Sequence, residues 1–279
     1  MNNIQQWLQF FEQNSCLFKE RYMLPRWRKY SNYITDIWDS LAIFLEGYAF
    51  ERQGRRPDYS PVAVDALFYC KKRNNGNMSE NVAYDIWQHF AQLLNNQRLN
   101  PRMNPLYPRQ TPHQKPSIIQ LVLDNGIVQQ NLTYATYFQN QIDQSNNIQN
   151  AFDLLKSVRG IGDKIASLYL RDLVDVMNIP LDNIQNRYLL QPIDIWVERT
   201  VKILTNNQEM NRNQIANWIV SASIKYDINP EQVNMGMWFF ASNLVLSEYK
   251  LRATLKNLNN AQDLVNDFKT RIRNIYQHC

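Results

Sequence analysis

Val158-Arg159-Gly160-Ile161-Gly162-Asp163-Lys164 lies between two stretches of helical periodicity, residues 147–156 and 163–177. Two glycines around one apolar residue let the chain reverse sharply, with positive φ open to either glycine. Without Cβ atoms they also let backbone N–H groups come close to a ligand. The second helix starts at the turn, so its first amides and the positive end of its dipole face any anion that docks there. Such a grip holds a phosphate without reading base sequence. Asp163 is placed to cap the helix start. A glycine turn of this kind also serves as a plain connection between packed helices, and that reading stands beside the anion-binding one.

Outward from the turn, helical spacing dominates. Ile34, Ile37, Trp38, Leu41, Ile43, Phe44, Tyr48 and Phe50 form one apolar stripe, with similar stripes at 82–94, 152–158, 165–177, 215–224 and 233–246. Pro116 and Pro230 are each placed in a first helical turn, the latter behind Asn229 as N-cap. No alternating run is long enough to build a sheet, so the predicted class is all-α. The clearest interruption is 95–115, with prolines at 101, 105, 108 and 112 and the basic residues Arg98, Arg102, Arg109 and Lys115. This segment cannot be one helix. It is either a loop lying along a nucleic-acid backbone or a solvated connection. A second basic cluster, Arg52-Gln53-Gly54-Arg55-Arg56, reads equally as phosphate contact or as favourable charge at a helix C-terminus.

Composition sets the bounds. Over 279 residues, 44% are hydrophobic and 20% charged, an ordinary globular balance that excludes extended disorder. A net charge of +5 favours polyanionic partners modestly. Cys16, Cys70 and Cys279 are odd in number and widely spaced, and His89, His113 and His278 are scattered. Neither a disulfide framework nor a four-cysteine zinc or iron–sulfur site is expected, and no metal ligands are assigned. The first residues show no basic and apolar leader, and nowhere is there an apolar run of spanning length. The expected location is the cytoplasm, or another reducing compartment, with no membrane partner.

Two residues carry candidate chemistry. Lys164 falls in the first turn of the second helix, where the positive helix end works against an ammonium group. A neutral lysine is a nucleophile able to attack an anomeric carbon and form a Schiff base; the alternative is a lysine facing water or phosphate. In Gln191-Pro192-Ile193-Asp194-Ile195-Trp196, the proline breaks the chain and helical spacing resumes at Ile195, which puts Asp194 at an N-cap. Capping aspartates are often purely structural, and the same carboxylate is suited to acid–base or electrostatic work.

The turn resembles the helix-hairpin-helix of DNA repair proteins, which reads Leu/Val-x-Gly-Ile/Val-Gly, one further residue, Lys and, two on, Ala. The matches are Val158, Gly160, Ile161, Gly162, Lys164 and Ala166. Arg159 stands where many members have proline, which lowers rigidity and adds a phosphate-directed charge. Pro192-Ile193-Asp194, with Val197 three residues after the aspartate, resembles the Pro-Val-Asp-x-x-Val signature of the helix-hairpin-helix, Gly/Pro-Asp DNA glycosylases. The two signatures come in the family's order, and the specific part of the likeness covers 152–204.

The resemblance implies a two-lobed helical glycosylase fold with a cleft between lobes. One lobe would be 76–190, containing the helix-hairpin-helix (147–177); the other would combine 1–75 with 191–279. It implies Lys164 as nucleophile and Asp194 as the essential aspartate of a bifunctional DNA glycosylase/AP lyase acting on double-stranded DNA with a damaged base. Arg159, Gly160, Ile161, Gly162 and Asp163 would contact phosphate. Trp196, Asn234 and Trp238 are candidates for a base pocket, with core packing as the other account of the aromatic run 234–240. No cofactor is required; a monovalent cation on hairpin carbonyls is a family option. The lysine-to-aspartate interval is longer than in endonuclease III and closer to that of an archaeal 8-oxoguanine glycosylase, and the iron–sulfur cysteines of the endonuclease III branch are missing, which points to 8-oxoguanine. Oxidised pyrimidines or alkylated bases are the alternative substrates, a non-catalytic DNA-binding module is the alternative function, and a monomer is expected.

Overall fold

The computed structural model describes residues 4–50, 59–101 and 105–272. The basic cluster at 52–56, Arg102, His278 and Cys279 lie outside the described residues. Among those described there is no strand, so the chain is all-α. The helices are α1 (Ile4–Gln13), α2 (Ser15–Phe18), α3 (Leu24–Lys29), α4 (Ile37–Phe44), α5 (Ser60–Arg73), α6 (Glu80–Asn96), α7 (Ile118–Asp124) and α8 (Tyr134–Ser145). They continue with α9 (Ile148–Ser157), α10 (Asp163–Val176), α11 (Ile195–Thr205), α12 (Arg212–Lys225), α13 (Pro230–Phe239), α14 (Glu248–Thr254) and α15 (Leu258–Ile272). No helix among the described residues is long and apolar enough to cross a membrane.

Local chemistry explains most boundaries. Asn229 caps α13 by accepting from the Gln232 amide, with Pro230 at the first position as expected. Pro116 instead precedes the cap of α7, which is Ser117 in a reciprocal box with Gln120. Two apolar stripes read as single helices are broken into α-helix followed by a wider π-turn, at Leu45–Ala49 after α4 and Phe240–Val245 after α13. A π-turn keeps the apolar face inward while changing the hydrogen-bond ladder, so spacing alone does not reveal it.

The chain divides into two compact units, Arg26–Asn186 and Met1–Pro25 with Arg187–Cys279. The first differs from the expected 76–190 lobe because residues between Trp27 and Tyr48 pack on α8 and α10. Phe44 meets the rings of Tyr134 and Tyr169 at centroid distances of 5.2 and 5.0 Å. Ser40 Oγ accepts the Ala135 amide. Tyr48 donates to Asp172 Oδ2 at 2.9 Å while accepting from Trp27 Nε1 at 3.0 Å. Asp172 and Arg171 are both buried in α10, and the guanidinium donates twice to Asp172 Oδ1. Burial pushes the Asp172 carboxyl above its ordinary value, and Arg171 and Tyr48 partly offset this.

In the second unit α1 crosses α13 at Gly236. A Cβ on Gly236 would lie 1.8 Å from the Phe11 carbonyl oxygen, so only glycine lets the backbones meet. The close approach that the glycine permits is thus by α1. Phe10 and Phe240 close the same contact edge to face at 5.3 Å.

Candidate functional site

The hairpin belongs to the Arg26–Asn186 unit. Helix α9 opens on Asn147, whose side chain accepts from the Gln149 amide, and ends at Val158 in extended backbone. Gly160 then takes φ +78°, and a Cβ there would press on Pro105 Cδ at 3.3 Å. Gly162 differs. Its φ is −108°, and a Cβ would meet nothing within 4 Å. Only the first glycine is demanded by the turn; the second leaves open space over the start of α10.

A buried Ile161 plugs the turn from inside. Arg159 donates its amide to Pro116 O at 3.0 Å and lays its guanidinium over Tyr107 at 5.2 Å. Lys115 Nζ reaches the Lys156 carbonyl at 2.7 Å, and Arg109 forks onto the Asp124 carboxylate. The proline-rich segment therefore braces the hairpin, and the charges of Arg109 and Lys115 are used within the unit. Helix α10 has Gly162 as its N-cap and no side-chain cap. Asp163, expected to cap, is the first helical residue, and its exposed carboxylate pairs with Lys156 at 2.6 Å. Lys164 follows, part-buried, with no hydrogen bond or ion pair to a described residue.

Asp194 belongs to the other unit. Its segment is fixed from one face of α13, where Glu231, Asn234 and Trp238 recur at helical spacing. Buried Glu231 accepts Arg187 Nε at 3.0 Å and Nη2 at 2.6 Å, and Gln191 Nε2 at 3.1 Å. Asn234, also buried, donates to the Pro192 carbonyl at 3.4 Å. Trp238 Nε1 donates to Asp194 Oδ2 at 2.7 Å. On the other oxygen, Oδ1 accepts the amides of Trp196 and Val197 at 2.9 and 3.0 Å, which makes Asp194 the N-cap of α11. The carboxylate is thus buried, with three donors on its two oxygens.

Of the base-pocket candidates, Trp238 and Asn234 touch the Asp194 segment directly. Trp238 is also boxed edge to face by Phe18 at 5.6 Å and Tyr22 at 5.3 Å. Trp196 gives its amide to Asp194 and carries Arg199 over its ring at 5.4 Å. Arg187, Gln191 and Glu231 escaped the sequence reading. The available signal was a run of polar residues at one-face spacing along an otherwise apolar helix. Among the described residues, no group of three or more His, Cys, Asp or Glu is placed to hold a metal ion.

The chain is 24% identical to an uncharacterized protein of Methanocaldococcus jannaschii, MJECL21, in an alignment covering 85% of this chain and 66% of that protein. It therefore spans a little under two thirds of that relative's length. No family model and no solved structure matches the chain.

Proposed function

We propose that this chain is a helix-hairpin-helix DNA glycosylase with AP lyase activity that removes an oxidised base, with 8-oxoguanine as the leading substrate. The observation that carries the reading is Lys164: part-buried, in the first turn beyond a glycine hairpin, and with no partner among the described residues. A lysine used for structure would pair internally, as Lys115 and Lys156 do in the same hairpin. Asp194 supports the reading as a buried carboxylate held by fixed donors.

In this reading the target nucleotide is turned out of the duplex, because its glycosidic carbon is out of reach in the stack. The open amides of α10 hold a backbone phosphate. The Lys164 nitrogen forms a bond to C1′ while the glycosidic bond breaks, and the base leaves with that electron pair. The proton that the amine loses equals the one the base gains. The Asp194 carboxylate stabilises the positive charge that develops on the sugar. The sugar ring then opens to an imine, and β-elimination breaks the C3′–O bond and nicks the strand. The reading requires Lys164 and Asp194 to serve one nucleotide.

A monovalent cation on the hairpin would rest on carbonyl oxygens. Those of Leu155 and Val158 each accept one amide within the turn, and each keeps a second lone pair. That donor set fits a weakly held alkali ion, which would steady the phosphate grip. The enzyme in this reading acts as a cytoplasmic monomer in base excision repair.

Borohydride trapping on duplexes bearing 8-oxoguanine tests the proposal. The wild type is expected to give a covalent complex and a nick. Lys164→Gln should abolish trapping, and Asp194→Asn should slow excision about 10²- to 10⁴-fold. Base release without any trapped complex would indicate a water-using enzyme. The absence of both release and trapping across a panel of oxidised and alkylated bases would overturn the glycosylase reading.

A further inference from the structure

Asp194 has an arrangement that its place at a helix start does not require. A capping aspartate needs one oxygen for the first amides, and Oδ1 fills that role with two of them. The second oxygen is normally turned to solvent. Here Oδ2 accepts the indole N–H of Trp238 at 2.7 Å. The indole itself is held by edge-to-face contacts from Phe18 and Tyr22, and Tyr22 is pinned by donating its hydroxyl to Asn243 at 2.6 Å.

A carboxylate offers about four lone-pair directions. Three are taken by donors from rigid elements, two by the first turn of α11 and one by α13. The group cannot rotate about its terminal bond without losing at least two of these bonds. Its remaining direction is therefore fixed by the fold. Trp238 is the only one of the three donors that is a side chain, and hence the only one that a substitution can remove cleanly.

We infer that Trp238 is a positioning residue for Asp194: its indole N–H holds the carboxylate in one orientation, aimed by its one remaining lone-pair direction at the sugar. Asp194 then acts in the reaction from one fixed orientation. The inference rests on the glycosylase reading above, since it assigns a role within that reaction. It also gives Trp238 a different task from stacking on the everted base.

The test is single-turnover excision of 8-oxoguanine from a duplex, measured as a function of enzyme concentration. Two replacements remove the N–H. Trp238→Phe keeps an aromatic ring in the box, and 3-benzothienylalanine at position 238 keeps the full shape with sulfur in place of N–H. Losing one hydrogen bond to a charged group should slow the chemical step about 10- to 100-fold. The enzyme concentration giving half-maximal rate should stay at the wild-type value, since duplex binding does not use this bond. Circular dichroism and thermal unfolding check that each variant is folded; if the Phe variant is not, the isosteric one decides. A folded variant excising within about twofold of wild type, or one whose loss lies wholly in duplex affinity, overturns the positioning role while leaving the glycosylase reading intact. A wild type that excises nothing overturns both.

Discussion

Helix α10 begins at Gly162 with no side chain over its first amides, whereas α11 begins at Asp194 with a carboxylate bonded to two of them. The physics of the two starts is the same: unpaired N–H groups and the positive end of a helix dipole call for negative charge. At α11 the chain supplies that charge itself, buries it and locks it with an indole. At α10 it supplies a glycine with open space above it. The difference separates a start completed by the chain's own carboxylate from one left open above its first amides. The largest expected effect follows from it. Asp194→Ala removes the cap and strands the part-buried Trp238 N–H, which should cost about 2–4 kcal/mol of stability. Gly162→Ala places a Cβ in open space at a permitted φ and should cost about 0.5 kcal/mol. Urea denaturation of both variants measures the contrast, and equal losses would break it.

The two glycines of the hairpin sharpen the same contrast within one turn. Gly160 is needed by the fold, since its φ is +78° and Pro105 sits against the place of a Cβ. Gly160→Ala should therefore destabilise by about 1–3 kcal/mol. Gly162→Ala should leave stability nearly as it is yet weaken duplex binding about 5- to 10-fold, by keeping a phosphate from the amides beneath. The two measurements, denaturation and a binding isotherm at fixed salt, should rank the variants in opposite orders. Wild-type duplex affinity in Gly162→Ala would mean that the space over α10 serves no ligand.

How far the sequence reached follows from the same two places. The helices flanking the hairpin were legible because glycine is the strongest local punctuation and the apolar spacing on each side is regular. Asn147 and Asp194 were legible as helix starts for a similar local reason, a short polar side chain just ahead of an apolar run. What spacing could not give is which distant groups complete a site. Trp238 reads as one aromatic among several in 234–240, and nothing local says that its N–H is aimed at Asp194. Glu231 and Asn234 look like ordinary polar residues until Arg187, Gln191 and the Pro192 carbonyl are brought to them. Spacing alone leaves Trp27, Phe44 and Tyr48 apart from the hairpin because their partners Tyr134, Tyr169 and Asp172 lie far along the chain. Local signals fix where a helix begins; long-range pairing fixes what its first turn faces.

The smallest expected effect concerns Asp163, whose carboxylate stands at the open helix start and which the family resemblance places in the phosphate grip. Its side chain is 75% exposed and paired with Lys156. Surface pairs of this kind contribute little, so Asp163→Asn should lower stability by at most about 1 kcal/mol, including the loss of a favourable charge at a helix N-terminus. Its effect on binding should run the other way. A carboxylate beside a phosphate site repels the phosphate, and neutralising it also frees the Lys156 ammonium. Duplex affinity should rise roughly two- to fivefold at low salt, and the gain should shrink as salt screens the charges. Fluorescence anisotropy across a salt series separates the outcomes. Tighter binding places the Asp163 carboxylate outside the grip, with only its backbone amide contributing. Weaker binding would make the carboxylate an organiser of the turn, and α10 would then share with α11 a start that depends on its own aspartate.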